Sequence, residues 1–325
     1  MAGAALPLSV GDSGPAVLDL VQRLDRAGFG CSSGDRFDGD TADAVRRFQQ
    51  SRGLDTDGVV GKQTWAALAE AQHRPGDRLL YLRASPMLRG DDVADLQRRL
   101  GALGFDAGRV DGIFGPLTAQ AIENFQRNAG LAADGICGPD TLAALTRLGG
   151  RDRQANIAAI RERERVRRRT TTPAETPLVI ASLGGLGAVA DTIARRLRAR
   201  GHSVVALDHP DESYQARLAN RLDAVGYVGL VPEAGPRSLV SYFATEGFES
   251  GEGAALARRL AAELEGAAFA PVEVRGQRRP VLRETRMPAA VLRIGPVTEV
   301  VERTPAVADA VAQAVTGWLA ALLED

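Results

Sequence analysis

Two different hydrophobic rhythms divide the chain. Up to about residue 148, apolar residues recur three and four apart in short runs broken by Gly and by Asp-Gly pairs, a pattern of short amphipathic helices. Beyond Pro177, compact apolar blocks alternate with longer amphipathic stretches, the pattern of strands followed by helices. The first half also repeats itself. Val17-Leu18-Asp19-Leu20-Val21-Gln22-Arg23-Leu24 with Gly28-Phe29 recurs 76 positions later as Val93-Ala94-Asp95-Leu96-Gln97-Arg98-Arg99-Leu100 with Gly104-Phe105. After one inserted residue Phe37, Thr41, Phe48, Gln49, Asp57, Gly58, Gly61 and Thr64 meet Phe114, Thr118, Phe125, Gln126, Asp134, Gly135, Gly138 and Thr141. Each unit is expected to hold three short helices. In the second, Val93, Leu96 and Leu100 line the first helix, Thr118 is the expected N-cap of the next, and Leu142 and Leu145 close the bundle.

The pattern G-x-x-V-x-x-L-Q-x-x-L, then D-G-x-F-G-x-x-T, F-Q and D-G-x-x-G-x-x-T resembles the small three-helix peptidoglycan-binding domain of cell-wall enzymes. The resemblance covers Leu8 to Ala69 and Leu88 to Arg147, and implies peptidoglycan-binding domains at 8-70 and 87-148. The first copy is looser, with Arg36-Phe37-Asp38 where the second has Ile113-Phe114-Gly115. The motif residues are chiefly core and turn residues, so they identify the fold without naming the side chains that would touch a ligand.

Residues 151-176 form a charged helix and linker in this reading. Arg161 to Arg169 holds six arginines against two glutamates, followed by Thr170, Thr171 and Thr172. A run of this kind is ordinarily a solvated face. Threonines beside arginines also make these three candidate phosphorylation sites for a Ser/Thr protein kinase, because a phosphate there could pair with the guanidinium groups.

The segment 177-325 is expected to fold as an α/β domain with a mostly parallel sheet. Strands are expected at Leu178 to Ser182, Ser203 to Leu207, Val225 to Val231, Leu239 to Phe243 and Ala289 to Ile294. Helices are expected at Leu186 to Arg200, Glu212 to Leu222, Gly253 to Leu264 and Pro305 to Leu323. Gly185-Leu186-Gly187-Ala188-Val189-Ala190 after the first strand, with Asp208 ending the second, matches a dinucleotide-binding fingerprint by local criteria. This keeps a nucleotide-binding redox domain as one alternative.

Across its length the same segment resembles the zinc-dependent N-acetylmuramoyl-L-alanine amidases. The matching pieces are Ile180-Ala181-Ser182-Leu183-Gly184-Gly185, Arg217-Leu218-Ala219-Asn220, Gly229-Leu230-Val231 and Val291-Leu292-Arg293-Ile294-Gly295. The resemblance implies that Leu183 and Val231 stand where the family has zinc-binding histidines. It also implies that Arg293 stands where the family has its general-base glutamate, and that the segment supplying a ligating glutamate is deleted. A catalytic zinc needs about three protein ligands and an open position for water. Arginine cannot accept a proton. The expectation is therefore no metal, no cofactor and no catalytic residue, with an active amidase as the other alternative. His73, His202 and the turn Asp208-His209-Pro210-Asp211-Glu212 do not suggest a replacement site. Asp211 and Glu212 are explained as partners of a helix N-terminus.

Two repeats, a charged connector and a degenerate amidase domain together resemble the CwlM-type amidase-like regulators of actinobacteria, as do Gly130 to Pro139 and Arg286-Met287-Pro288. The resemblance implies a non-enzymatic regulator of cell-wall precursor synthesis under kinase control. Its expected partners are a peptidoglycan fragment or precursor and a cell-wall synthesis enzyme.

Composition adds limits. Hydrophobic residues at 45% and charged residues at 25% are those of a globular protein. Lys62 is the sole lysine among 40 basic residues, which with the heavy Ala and Gly usage points to a GC-rich bacterial genome. A net charge of -1 and the lack of aromatics among the arginines argue against nucleic acid. Met1 to Val10 lacks a basic, then apolar, leader pattern and no stretch approaches the roughly 20 apolar residues of a membrane span, so a cytoplasmic chain is expected. Cys31 and Cys137 are expected to be free thiols.

Overall fold

The computed structural model describes residues 6–31, 34–148, 176–245, 248–269 and 271–324. The connector, apart from Thr176, lies outside them, and so do the candidate phosphorylation sites Thr170, Thr171 and Thr172. The chain divides into two compact units, one holding both repeats and the other the α/β domain.

Each repeat has three helices: α1 (Pro15–Arg26), α2 (Gly39–Ser51) and α3 (Lys62–Glu70), then α4 (Asp91–Ala102), α5 (Pro116–Ala129) and α6 (Pro139–Leu148). The periodic apolar residues meet in two separate cores. Leu20, Leu24, Phe37, Val45 and Phe48 fill the first. Leu96, Leu100, Phe114, Ile122 and Phe125 fill the second. Phe29 stands edge-on to Phe48, and Phe105 to Phe125, both at 5.6 Å between centroids.

The polar half of the repeat motif is a buried latch. Gln126 Nε2 donates to Asp134 Oδ1 (2.8 Å), Ile136 O (3.0 Å) and Thr141 Oγ1 (3.0 Å), while Gly135 N donates to Gln126 Oε1 (3.0 Å). Gln49 does the same with Asp57, Val59 O, Thr64 and Gly58 N. Gln97 does it a third time with Asp111, Ile113 O, Thr118 and Gly112 N. One amide thus ties a helix to an Asp-Gly turn and to the next helix. Glycine is needed in that turn because its φ is positive, +76° at Gly58, +70° at Gly112 and +72° at Gly135. Thr118 is therefore not the N-cap expected from the sequence: α5 starts two residues earlier, behind Gly115, and the Thr118 hydroxyl is buried between Gln97 and Ala107 O.

Among the described residues the sheet of the α/β unit has seven strands, β1 (Leu178–Ser182), β2 (Val204–Asp208), β3 (Gly226–Pro232), β4 (Ser238–Thr245), β5 (Phe248–Glu249), β6 (Val272–Gln277) and β7 (Ala289–Ile294). Its helices are α7 (Gly187–Ala199), α8 (Glu212–Arg221), α9 (Gly251–Gly266), α10 (Pro280–Glu284), α11 (Val297–Glu302) and α12 (Thr304–Glu324). The sheet order is β2-β1-β3-β7-β4-β5, with β6 on β4. The pairs β1–β2, β1–β3, β3–β7 and β4–β6 are parallel, whereas β4–β7 is antiparallel.

Leu178, Ile180, Val228 and Leu230 face α7, α9 and α12 in one core. Tyr227 turns to the opposite face, where its hydroxyl donates to Gln215 on α8 at 2.7 Å. Burial raises the pKa of that phenol well above its ordinary value, so it remains a donor. The helix α12 comes closer to a membrane span than the sequence reading allowed. Thr304–Leu322 is long and apolar enough by composition, but 56% of its most apolar window is buried, with Val311, Val315 and Trp318 in the core. It is the central core helix of this unit.

Candidate functional site

The chain leaves β1, returns through α7 to β2 on one side, then crosses to β3 on the other. The carboxyl ends of β1 and β3 therefore form a topological switch point, the place where open α/β sheets bind ligands. Three sequence candidates meet there. Leu183 follows β1 and donates its backbone N–H to Leu230 O on β3 at 2.8 Å. Val231 lies one residue further along β3, directly paired with Arg293 on β7. Ser182, at the last position of β1, is fully buried, and its hydroxyl accepts the N–H groups of Gly184 and Leu186 at 3.2 Å each, which closes the turn tightly.

This mouth is poor in metal donors. Leu183 and Val231 offer only hydrocarbon, and Arg293 is a cation facing Glu233 at 3.6 Å. Glu233 is thereby engaged by a positive charge that would itself repel a metal ion. His209 is turned aside: its Nδ1 accepts Asp211 N at 3.0 Å and its ring stacks on Tyr214 with centroids 4.4 Å apart. Among the described residues no three His, Cys, Asp or Glu side chains are grouped to hold a metal ion. The described residues at this mouth do not supply the donor set that zinc chemistry requires.

The polar turn after β2 has structural duties. Asp211 caps α8 by accepting Tyr214 N at 2.9 Å, as its place before the helix implied. Glu212 differs from the expectation of a simple dipole partner. It is buried, forms an ion pair with Arg279 at 2.5 Å and accepts Val281 N at 3.3 Å, tying α8 to α10. Asn220 completes the tie, donating to Glu284 O and accepting Arg286 N, both at 2.8 Å. Gln215 donates to Ser182 O (2.7 Å) and His209 O (2.5 Å), bracing the floor of the mouth. The dinucleotide fingerprint residues Gly187 and Asp208 lie together. A Cβ added at Gly187 would lie 2.6 Å from Asp208 Oδ2, so this glycine is what lets the start of α7 pack against the carboxylate that ends β2.

The second repeat carries a feature that sequence reasoning missed. A groove of about 800 Å³ runs between the chain segment before α4 and helices α4 and α6, with Leu79, Leu96, Pro139 and Leu142 on its walls. Its polar wall is Arg78, which grips the buried Asp92 through Nε (2.7 Å) and Nη2 (3.0 Å). The stretch between the two backbone bridges runs from Leu8 to Ser13 in the first repeat and from Leu80 to Arg89 in the second, four residues longer. Those extra residues leave Tyr81, Leu82 and Met87 exposed. The irregular spacing of the two copies was the available signal. Cys137 also lines the groove but is no nucleophile, because burial raises its pKa to about 11. His202 sits apart, 3.3 Å from Thr316 Oγ1, its pKa lowered by burial and then by Arg200.

The family model of a putative peptidoglycan binding domain matches residues 13–68 and 89–145. The chain is 35% identical to N-acetylmuramoyl-L-alanine amidase CwlM of Mycobacterium tuberculosis over 293 residues, 81% of this chain and 72% of that protein. It is 35% identical over 163 residues to the amidase CwlL of Bacillus licheniformis, and spans 45% of that protein's length. Among solved structures, the amidase Ami1 of Mycobacterium smegmatis aligns with 46% of this chain and 100% of its own, at 15% identity and a TM-score of 0.37. From the extent and identity of the match to CwlM, the chain belongs to the N-acetylmuramoyl-L-alanine amidase family.

Proposed function

We propose that this chain is a peptidoglycan-binding pseudo-amidase that acts in the cytoplasm as a non-enzymatic regulator of cell-wall precursor synthesis. One observation carries the loss of catalysis: Leu183, Val231 and Arg293 stand side by side at the switch point of the sheet, where the resemblance to the zinc amidases expects two histidines and a glutamate. A hydrolytic zinc polarises the scissile carbonyl and activates water, with a carboxylate to take the proton. Two aliphatic side chains and a guanidinium supply none of these groups. In this reading the repeats recognise a peptidoglycan fragment or precursor, supported by the match of both copies to the binding-domain model. Partner contacts with a synthesis enzyme, and phosphorylation at Thr170, Thr171 or Thr172 by a Ser/Thr kinase, complete the proposal.

The similarity to CwlL and CwlM favours one competing reading, an active zinc amidase. Elemental analysis of the purified full chain, together with incubation on peptidoglycan with and without a chelator, separates the two. We expect zinc well below one equivalent and no release of stem peptides. Stoichiometric zinc with chelator-sensitive release would establish the amidase and end the pseudoenzyme reading.

A further inference from the structure

Between the two repeats lies a second, smaller cleft of about 320 Å³. Arg26 reaches it from the end of α1, Arg52 from the end of α2, His73 and Arg74 from the connection between the repeats, and Arg98 from α4. Two carboxylates, Asp91 and Asp95, share the lining. Both are engaged. Arg52 binds Asp91 through both guanidinium nitrogens, at 2.8 and 2.7 Å, and Asp95 pairs with Arg99 at 2.6 Å and Arg98 at 3.5 Å. Arg26 makes only a 3.5 Å contact with Gln72 Oε1, and the Arg74 side chain has no ion-pair partner among the described residues. Four arginines against two acids leave the cleft with an excess of two positive charges. The first turn of α4 carries Asp91 and Asp92, and Asp92 accepts Val93 N at 2.9 Å, so the positive end of that helix is already answered and the excess charge of the cleft comes from its arginines.

Concentrating like charges in a concave site raises the local potential and favours an oppositely charged guest. Arginine's planar fork suits oxyanions, which it binds through paired hydrogen bonds. We propose that the inter-repeat cleft is a binding site for a small dianionic group, a diphosphate or a dicarboxylate, held by Arg26, Arg74 and Arg98. The apolar groove of the second repeat shares Pro75 and Asp95 with the cleft, so the two hollows adjoin. The proposal does not depend on whether the α/β unit is catalytic.

Isothermal titration of the full chain at low ionic strength, with sodium pyrophosphate and separately with sodium glutarate, tests it. Arg26 and Arg74 are exposed, so Arg26→Gln with Arg74→Gln should leave the melting curve unchanged. Saturable pyrophosphate binding that weakens by about tenfold or more in this double variant supports a phosphate-bearing ligand. The same pattern with glutarate in place of pyrophosphate supports a carboxylate-bearing one. Absence of saturable binding for both probes, or equal binding by the double variant, overturns the proposal. If the double variant melts early, Arg98→Gln alone serves as the second variant, read against the same criteria.

Discussion

The two repeats have the same three helices and equivalent aromatic pairs, yet they differ in how they hold their first turn. The second repeat closes two glutamine latches, one through Gln97 and one through Gln126. The first closes one, through Gln49. Where Gln97 would fall in the first repeat stands Val21, which packs its side chain against the core instead. Thr41, the counterpart of Thr118, has changed partners. Its hydroxyl donates to Asp38 at 3.0 Å and its N–H to the same carboxylate at 2.9 Å, which caps α2. The looseness of the first copy's motif is thus a substitution of devices. An N-cap replaces a buried amide network, and Asp38 is present only where the latch is missing. Two physically different solutions hold one fold, so motif fidelity is a poor measure of whether a repeat is folded.

Breaking the extra latch should give the largest effect. Gln97→Val copies the first repeat's residue into the second without supplying the compensating cap, and removes four hydrogen bonds around a buried turn. With a net contribution of about 1 kcal/mol per bond, the loss should be about 3 kcal/mol, after allowing for apolar packing by valine. Chemical denaturation and amide exchange at Gly112 and Ile113 measure it. The mirror change, Val21→Gln, should not stabilise the first repeat, because Gly34-Asp35 stands where the second repeat has its Asp111-Gly112 turn. A near-neutral Gln97→Val would mean the latch is decorative and the comparison empty.

The repeats were legible because their fold depends on residues with narrow physical roles: Asp-Gly at a positive-φ turn, Gln beside it, Phe three residues on from a branched aliphatic. Their helices and cores follow directly from that pattern. In the α/β unit the apolar blocks Leu178–Ser182 and Ala289–Ile294 marked the central strands to the residue. By contrast, β6 was missed although Val272 and Val274 alternate with charged residues, because a six-residue edge strand with Gly276 inside it carries little apolar signal. That glycine has a packing reason: a Cβ there would lie 2.5 Å from the Ala244 side chain on β4. The short helices α10 and α11 span too few turns to show a period. At the site, the convergence of Leu183, Val231 and Arg293 depends on strand order, which no local pattern encodes. The inter-repeat cleft was invisible for the same reason, since Arg26 and Arg98 come together only through docking of the copies.

A smaller effect tests that docking. The ion pair between Arg52 and Asp91 joins the end of α2 to the start of α4, with side chains 20% and 30% exposed. Partial solvation limits such pairs, so a double-mutant cycle of Arg52→Ala and Asp91→Ala should show a coupling of about 0.5–1 kcal/mol that shrinks at high salt. Zero coupling at low salt would mean that the two copies are not held together by this pair.

The smallest effect lies in the latch the repeats share. Asp134 accepts Ile136 N at 2.9 Å and the Gln126 amide at 2.8 Å, and these donors, the backbone one first, lower its pKa below the ordinary aspartate value. A carboxylate whose folded pKa is depressed binds protons more weakly in the native state than in the unfolded chain. Its contribution is therefore fully present above the unfolded value and is lost as pH falls through the folded one. Titrating the Asp134 carboxyl by NMR should show a midpoint below that of an exposed aspartate. Asp134→Asn should flatten the acid limb of the stability curve without altering it at neutral pH and above, apart from a constant offset. A midpoint at or above the ordinary value would show that the turn carboxylate is not held by its donors, and the latch would then owe its strength to the glutamine amide alone.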